Sequence, residues 1–456
     1  MISSRTAYTF LISFVAAFGG FVFGYDLVII AGANTILKEY FDLTDRQFGF
    51  VTASADFGCI AGPLLGAWLC DLIGRKRTLI FAGILFGLSA IGTALPRDVD
   101  TFNLFRIVGG VGMGICSIAS PMYLVEVAPA RMRGRLGLMF QLAVCFGALS
   151  SVLVAWQLAA HLPDEVSWRW MFASEIPAVL GFVACLGIVP LSPRWLAEKN
   201  REDEALAVLT RVDGPERAKE AMADIHESIK AESGTFSELF LPGMRRVLFI
   251  GICLGLFCNL TGWSGIARYT PHLFQQAGYE SVSDSLEASV YIFLGIIFLT
   301  LISIWLVDKA GRRVIWNCAT FANMCILILA GLVFHLHLQG VWVVMMVFLI
   351  AVPHAMATAP LPWLMMSEIF PTRIRARAVA ICTTFLWIAS FLAPQIFPIV
   401  GEFSERMIGS NALIFLVFAF FCLLALLFGL TLLPETKGRT LEEIADRWLK
   451  KDQART

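Results

Sequence analysis

The stretch that decides the fold of this chain runs Glu126-Val-Ala-Pro-Ala-Arg-Met-Arg-Gly-Arg135, and it occurs twice. Its second copy, 242 positions later, runs Glu368-Ile-Phe-Pro-Thr-Arg-Ile-Arg-Ala-Arg377, so both follow the template E-x-x-P-x-R-x-R-x-R. A shorter element, D-x-x-G-R-[KR], precedes each copy, first at 71–76 and again at 308–313. Two elements that repeat in the same order at nearly the same period predict a protein built from two duplicated halves.

The composition is that of a membrane protein. Of its 456 residues, 58% are hydrophobic and only 15% are charged, whereas soluble domains contain about 25% charged residues. Apolar runs of about 18 or more residues recur along the chain, which predicts many membrane-spanning helices. The formal net charge is zero, which favours no nucleic-acid partner. The 11 cysteines are scattered mostly within apolar runs, as packing residues are; no disulfide, metal site or cofactor is expected.

Twelve apolar runs predict an all-α membrane protein with twelve transmembrane helices. Six runs precede and six follow a polar segment whose windows rich in Ala, Glu and Leu predict short surface helices. The predicted spans are 7–30, 49–70, 78–96, 102–126, 134–160, 170–190, 246–274, 288–308, 314–337, 341–368, 378–400 and 411–433. The chain is thereby divided into an N-terminal six-helix half (1–190), a helical linker (191–245), a C-terminal six-helix half (246–433) and a tail (434–456).

The placement of basic residues orients the spans. Lys and Arg are concentrated in the loops between spans 2 and 3, 4 and 5, 8 and 9, and 10 and 11, and they also occur in the linker and the tail. The opposite loops contain few basic residues and several acids. Basic loops remain on the cytoplasmic side of a membrane. We therefore expect a multi-pass protein of the cell (inner) membrane with both termini and the linker in the cytoplasm.

Two parallel six-helix halves joined by a cytoplasmic segment form the arrangement of the major facilitator superfamily, and the motifs of this chain resemble its sugar porter family. That family includes bacterial proton–xylose symporters and mammalian facilitative glucose transporters. The resemblance covers nearly the whole chain. Its motifs are, besides the repeated elements, Gly24-Tyr25-Asp26, Arg106-Ile-Val-Gly-Gly, Pro121-Met-Tyr-Leu-Val-Glu126, Trp168-Arg169-Trp170-Met171-Phe172, Pro362-Trp363, Ser367-Glu368-Ile369-Phe370-Pro371 and Pro434-Glu435-Thr436-Lys437-Gly438.

The repeated elements place acids at the ends of spans and arginines just beyond them. Glu126 and Glu368 are expected to pair with arginines of neighbouring loops when the cytoplasmic ends come together. Partly solvated pairs of this kind contribute roughly 0–1 kcal/mol each and can break and re-form, as a gate requires. The alternative is that the basic residues only fix the topology, although topology requires neither the acids nor their spacing.

The resemblance implies that these residues form the network that closes the cytoplasmic side when the protein faces outward. The chain departs from the family after span 6, where the expected P-E-S-P-R reads Pro190-Leu191-Ser192-Pro193-Arg194, so that Leu191 removes one acid. The predicted gate consists of Asp71, Gly74, Arg75, Glu126, Arg133, Asp308, Gly311, Arg312, Glu368, Arg375 and Glu435.

Three charged residues, Asp26, Arg106 and Glu175, interrupt apolar runs. An unpaired charge at such a depth costs at least about 2.5–3.5 kcal/mol. Counting residues at about 1.5 Å each puts all three in the outer half of the membrane, where they could meet. Protonation of Asp26 would then release Arg106 and alter helix packing. The alternative is a static ion pair. The resemblance implies proton coupling, because proton-coupled members carry an acid at the Asp26 position and a charge at that of Glu175.

The expected solute site combines aromatic rings with hydrogen-bonding groups, which suits a sugar. The resemblance assigns Gln141, Trp363 and Trp387 to solute contact. Span 7 departs from the family pattern Q-Q-x-x-G-x-N-x-x-x-Y-Y: its glutamines become Cys258 and Asn259. A site that has lost these amides should bind an ordinary pentose or hexose poorly.

Further departures introduce positive charge at the same site. The family asparagine of span 7 is Ser264, its first tyrosine is Arg268, an amide position of span 11 is Leu386 and an aromatic position of span 10 is His354. One interpretation is that Arg268 binds an anionic solute such as a sugar acid. The alternative is that its side chain extends to the outer surface. His354 is either a titrating group or a hydrogen-bonded packing residue. The predicted solute contacts are Gln141, Asn259, Ser264, Arg268, His354, Trp363 and Trp387.

The sequence thus predicts a proton-coupled symporter of a sugar or sugar-like solute that works by alternating access between two halves. The alternatives are a facilitative uniporter, a symporter of a sugar acid and, outside transport, a nutrient sensor, which the short tail disfavours. An enzyme is not expected, because the chain contains no nucleophile–base constellation. The expected partners are the solute, a proton and the lipid bilayer, and we expect a monomer.

Overall fold

The computed structural model describes residues 4–128, 133–231, 236–279, 281–371 and 374–437. It describes the backbone but not the side chains of residues 4–7, 133–138, 231, 236, 242, 304 and 308. Arg131, Arg373 and the tail beyond Lys437 therefore lie outside the described residues, as do the side chains of Arg133 and Asp308.

The described residues form eighteen α-helices. Those preceding the linker are α1 (Ser4–Tyr40), α2 (Asp45–Ile73), α3 (Arg75–Ala94), α4 (Val99–Val127), α5 (Arg133–His161), α6 (Asp164–Ala173) and α7 (Ile176–Ile188). The linker contains α8 (Pro193–Glu198), α9 (Glu202–Asp213) and α10 (Pro215–Ala231), followed by a 3-10 turn, Phe236–Phe240. The remaining helices are α11 (Pro242–Leu260), α12 (Trp263–Gln276), α13 (Val282–Ala310), α14 (Arg312–His335), α15 (Val341–Pro353), α16 (Pro360–Ile369), α17 (Arg375–Ile408) and α18 (Ala412–Thr431).

The prediction of twelve spans and of short helices between two sets of six is confirmed. Within the described part of the chain, twelve helical stretches are long and apolar enough to cross a membrane. Nine are single helices, whereas α6 with α7, α11 with α12, and α15 with α16 each form one stretch. We refer to α1–α7 as the N-terminal half and to α11–α18 as the C-terminal half.

Three spans are broken near their middles, and the breaks have local causes. Span 6 breaks at Ser174 and Glu175, ahead of a proline at the start of α7. Span 7 breaks at Gly262, whose positive φ of 107° suits a residue without a side chain. Span 10 contains a π-helical turn, His354–Thr358, which follows Pro353. Broken spans expose backbone groups at the depth where transporters bind their solutes.

Helix α1 is longer than the sequence predicts. The predicted span ends at residue 30, whereas α1 continues to Tyr40. Its last turns carry polar residues that are satisfied within the protein: the buried Asn34 donates from Nδ2 to the Arg268 carbonyl over 2.8 Å. Hydropathy alone ends the span too early, because it treats these residues as facing lipid.

Glycines allow the N-terminal half to pack backbone against backbone. A Cβ added at Gly110 of α4 would lie 1.9 Å from the Ala55 carbonyl oxygen of α2, and one at Gly24 of α1 would lie 2.1 Å from the Val144 carbonyl oxygen of α5. No side chain fits at either position. The outer surface of the bundle is apolar instead: Leu180, for example, is 65% exposed, as expected for a side chain in contact with lipid.

Replacing Gly110 by leucine should lower the apparent melting temperature of the detergent-solubilised protein by several degrees, because α2 and α4 must then separate. Gly187→Leu is the matched control, since a Cβ at Gly187 of α7 meets no atom within 4 Å. Thermal unfolding of the purified variants measures the effect. Equal melting temperatures for the two variants would contradict the close packing of α2 and α4.

Candidate functional site

A buried ion pair links α1 to α4 in the N-terminal half. The Arg106 guanidinium donates from Nη1 to Oδ1 of Asp26 and from Nη2 to the Asp26 carbonyl, the latter over 3.3 Å. Both residues are almost completely buried. The guanidinium also lies 5.6 Å from the ring centre of Phe172. Such burial leaves each charge dependent on the other, because neither is reached by solvent.

Glu175 lies beside this pair, at the break between α6 and α7. Its side chain is buried, and the charges of Asp26 and Arg106 both act on it. Among the described residues, its Oε1 has no hydrogen-bond partner, and the same holds for Oδ2 of Asp26 and Nε of Arg106. The structure therefore brings together the three charges that the sequence singles out and leaves hydrogen-bonding capacity unused between them.

A second buried ion pair was not predicted. Arg268 of α12 donates from Nη2 to Oδ1 of Asp56 in α2 over 2.8 Å. From Nη1 it donates to the carbonyl and hydroxyl oxygens of Ser264 over 2.7 and 2.6 Å. Ser390 of α17 donates to the same Asp56 oxygen over 2.7 Å. Arg268 is only 6% exposed, so the alternative in which its side chain extends to the outer surface is wrong. The reason is the counter-charge that Asp56 provides inside.

The sequence does contain a signal for Asp56. It is the only charged residue in the predicted span 49–70, and the same criterion identifies Asp26 in span 1. Applied to every span, the rule that a charge in an apolar run needs a buried partner would have singled out Asp56 as well.

The residues predicted to contact the solute lie around the breaks of spans 7 and 10. Asn259, one turn before Gly262, donates from Nδ2 to the Leu386 carbonyl of α17 over 3.0 Å. Trp387 packs its ring edge to face against Phe23 of α1, with ring centres 5.8 Å apart. Its buried indole N–H has no partner among the described residues, so it remains available as a donor.

His354 lies in the π-helical turn of span 10 and is held by its neighbours. Its Nδ1 is 3.1 Å from the Thr358 hydroxyl, and its ring lies 5.7 Å from that of Trp263 with an interplanar angle of 30°. This geometry favours the interpretation of His354 as a hydrogen-bonded packing residue. Trp363, on α16, is half-buried beside the core.

Gln141 lies on the other side, in α5 of the N-terminal half. It is half-buried, and its Nε2 is 3.9 Å from Sγ of Cys145. Cys145 is in turn 3.8 Å from the Thr300 hydroxyl of α13, in the C-terminal half. Both halves therefore contribute predicted solute residues. The contact between Cys145 of α5 and Thr300 of α13 joins the two halves one turn away from Gln141.

The charge clusters predicted around Glu126 and Glu368 both form. They lie at the ends of the spans that are remote from the two buried ion pairs. In the first, Arg75 donates from Nε to Glu126 Oε1 over 3.0 Å, and Ser192 donates to the other oxygen of that carboxylate. The second acid near Arg75 is Glu198 of α8, at 3.5 Å. Glu198 thus supplies an acid to this cluster, whereas Leu191 supplies none. Asp71 is 4.0 Å from Arg75 and largely exposed.

The second cluster repeats this plan in the C-terminal half. Arg312 donates from Nη2 to Glu368 Oε1 over 3.1 Å, and Thr436 donates to Oε2 over 2.6 Å. Glu435 accepts the backbone N–H groups of Arg312 and Arg313 over 3.0 and 3.1 Å. Each cluster thus joins loops of its own half, with a hydroxyl completing the shell of the central glutamate.

The backbone conformation explains why each D-x-x-G-R element contains a glycine. Gly74 and Gly311 have φ of 86° and 90°, the region that favours glycine. A Cβ at Gly311 would lie 2.8 Å from the Glu435 carboxylate. Arg375, the remaining predicted member, donates from Nε to the Phe370 carbonyl over 3.2 Å.

Comparison with known proteins agrees with this geometry. The family model described as "Sugar (and other) transporter" matches residues 12–448. The arabinose-proton symporter of Bacillus subtilis (strain 168) is 36% identical over 457 residues, which cover 98% of this chain and 97% of the relative. The D-xylose-proton symporter of Escherichia coli (strain K12) is 32% identical over 478 residues, with 97% and 96% covered.

A solved structure has the same fold. The structure of the major facilitator superfamily proton:xylose symporter XylE, bound to 6-bromo-6-deoxy-D-glucose, superposes with a TM-score of 0.84 at 31% identity, covering 97% of this chain and 100% of that one. The matches extend over nearly the full length of this chain and of its relatives. The chain is a multi-pass membrane protein, a transporter rather than an enzyme, and belongs to the sugar porter family of the major facilitator superfamily.

Proposed function

We propose that this protein is a secondary active transporter that carries a neutral sugar or sugar-like solute together with a proton, by alternating access between residues 1–190 and 246–433. The observation that carries the proposal is the buried ion pair of Asp26 and Arg106 with Glu175 beside it. The arabinose- and xylose-proton symporters that this chain resembles along its whole length support the same function.

The proposed coupling follows from the charges of this trio. While Asp26 is ionised, it holds Arg106, and the two charges neutralise each other. When Asp26 binds a proton, Arg106 loses its counter-charge and turns to the unused oxygen of Glu175. Because Glu175 lies at the break of span 6, this exchange of partners shifts α6 and α7 relative to α1. One proton crossing 100 mV supplies about 2.3 kcal/mol, enough for roughly fiftyfold accumulation of the solute.

The pairing of Arg268 supports a neutral solute rather than a sugar acid. Its guanidinium already donates to Asp56 and Ser264, so a carboxylate on the solute would have to displace Asp56. The groups proposed to bind hydroxyls carry no charge: the indole N–H of Trp387 and the amides of Gln141 and Asn259, with Trp363 as a further ring.

The placement in the membrane completes the proposal. The charge clusters around Glu126 and Glu368 face the cytoplasm, together with both termini and the linker, because basic loops remain inside. The protein resides in the cell membrane and acts as a monomer, since one chain supplies both halves of the pathway.

Asp26→Asn should abolish protonophore-sensitive accumulation of labelled arabinose or xylose in proteoliposomes while leaving solute counterflow in place. The amide is nearly isosteric but cannot release a proton, so exchange survives and coupling does not. Asp100→Asn, an exposed acid at the start of α4, is the matched control. Uphill accumulation by the Asp26 variant would exclude this coupling site, and a wild-type protein that only equilibrates the solute would be a uniporter.

The charge of the solute can be tested with a panel of neutral sugars, polyols and sugar acids. We expect neutral members alone to raise the melting temperature of the wild-type protein. In Asp56→Asn the Arg268 charge loses its partner, and sugar acids such as glucuronate should gain a measurable shift. A larger shift with glucuronate than with any neutral sugar in the wild-type protein would instead favour a sugar-acid symporter.

Glu368→Gln should shift the protein toward the inward-facing state by up to about 1 kcal/mol, or roughly fivefold in population, because the proposed gate requires this cluster to be tighter while the cytoplasmic side is closed and its Arg312 pair is partly solvated. Thiol labelling of a cysteine introduced at the half-buried Gln141, with the reagent on the cytoplasmic side, should accelerate accordingly. Glu220→Gln, at an exposed site of α10, serves as the control. Labelling rates that do not change in the Glu368 variant would exclude its role as a gate.

A further inference from the structure

The ion pair of Asp56 and Arg268 differs from every other charge contact described above, because it joins the two halves directly. Asp56 belongs to α2 and Arg268 to α12. Asp56 lies 11 residues after the start of α2, about 16 Å along the helix, and Arg268 lies eight residues before the end of α12, about 12 Å. In the proposed orientation both ends face outward, so the pair lies in the outer half of the membrane.

Arg268 is held by the N-terminal half at two points. Its side chain donates to Asp56, and its backbone carbonyl accepts from Asn34 of α1 over 2.8 Å. Thr52, one turn before Asp56 on α2, donates to Oδ1 of the same Asn34 over 3.2 Å. Within the C-terminal half, Ser390 adds a donor to Asp56. A polar network of buried groups thus runs from α1 and α2 into α12 and α17.

Apolar contacts seal the helices around this network. Phe48 of α2 packs against Tyr269 of α12, with ring centres 5.3 Å apart. Phe57, next to Asp56, packs against Phe391, next to Ser390, at 5.4 Å. Closer to the outer end, a Cβ at Gly49 would lie 2.8 Å from the Gln395 side chain. The outer halves of α2 and α17 are therefore in direct contact at the level of Gly49 and Phe57.

We propose that Asp56 and Arg268 form the outer gate of the transport pathway: their ion pair holds the two halves together while the outer side is closed, and it separates when the outer side opens. A buried ion pair suits this role. Closed, each charge compensates the other; open, water entering between the halves solvates both. Loss of one partner leaves a buried, unpaired charge only in the closed state, so it must shift the protein toward the outward-open state.

The test uses a cysteine introduced at Gln395, which α2 covers in the closed structure. We expect Asp56→Asn and Arg268→Gln each to increase the labelling of this cysteine by an impermeant thiol reagent at least about tenfold. Labelling of a second cysteine, introduced at the half-buried Gln141 and reached by reagent applied from the cytoplasmic side, should fall at the same time, because opening outward closes the inside. The exchange of charges in the double variant Asp56→Arg/Arg268→Asp should return both rates toward those of the parent protein.

The matched control is Asp45→Asn, which removes the partner of Lys38 at 2.9 Å. That pair also lies near the outer end of α2 but within one half, so its loss should leave both rates unchanged. Ser390→Ala, which removes only one hydrogen bond to Asp56, should give an intermediate rate at position 395 and covers the case in which a charge variant is not recovered folded.

The proposal is overturned if labelling at position 395 does not change in the single variants. It is equally overturned if labelling rises on both sides together, as general loosening would cause, or if the exchanged pair labels as fast as the single variants. The proposed gate depends on the proposed function only for the orientation of the protein in the membrane, which makes this side the outer one. Because the labelling is measured without solute or proton gradient, a failure of proton coupling would leave its result intact.

Discussion

A charge inside a membrane protein must find its partner within the protein, since lipid provides neither water nor counter-ions. Two of the described ion pairs satisfy this constraint deep in the spans, and they differ in the helices that they connect. Asp26 and Arg106 are bound to each other within one half, whereas Asp56 and Arg268 are bound across both halves. In the functions proposed for them, a proton alters the first pair and a movement of helices alters the second.

Two features of the backbone position the charged and polar residues: close glycine contacts and breaks within the spans. Glycine contacts such as that of Gly24 with α5 bring α1 close enough to its neighbours for Asp26 to be enclosed. The breaks at Glu175, Gly262 and His354 place polar groups in the middle of otherwise apolar spans. Without the breaks, Glu175, Asn259 and His354 would lie on continuous helices whose backbone is fully hydrogen-bonded.

Much of this arrangement could be predicted from the sequence. The duplicated elements predict two halves and two charge clusters, and an acid or arginine in an apolar run predicts a buried partner. The rule locates Asp26 and Arg106, and it would also have located Asp56. Arg268 considered without Asp56 fits either a position inside the protein or one at the outer surface. The two alternatives stay open as long as this charge is considered without its partner.

Other features could not be predicted because the signals behind them are local and weak. Both sides of the break in span 10 are apolar, so hydropathy predicts one continuous helix there and does not reveal the π-helical turn. The repeat predicts Glu126 and Glu368 but not the hydroxyls of Ser192 and Thr436, which come from segments where the template has ended. The contact of Glu198 with Arg75 depends on how α8 folds back, which only the tertiary structure provides.

The glycine break of span 7 lets α12 tilt around Gly262, close to Arg268. Arg268 follows Gly262 by six residues, or about 9 Å along the helix. A tilt of α12 by about 20° around Gly262 would therefore move Arg268 sideways by ~3 Å. That displacement is as long as its hydrogen bond to Asp56. Asn259 lies just before Gly262 and Ser264 just after it. A small change of angle at Gly262 would therefore be enough to make or break a contact between the two halves.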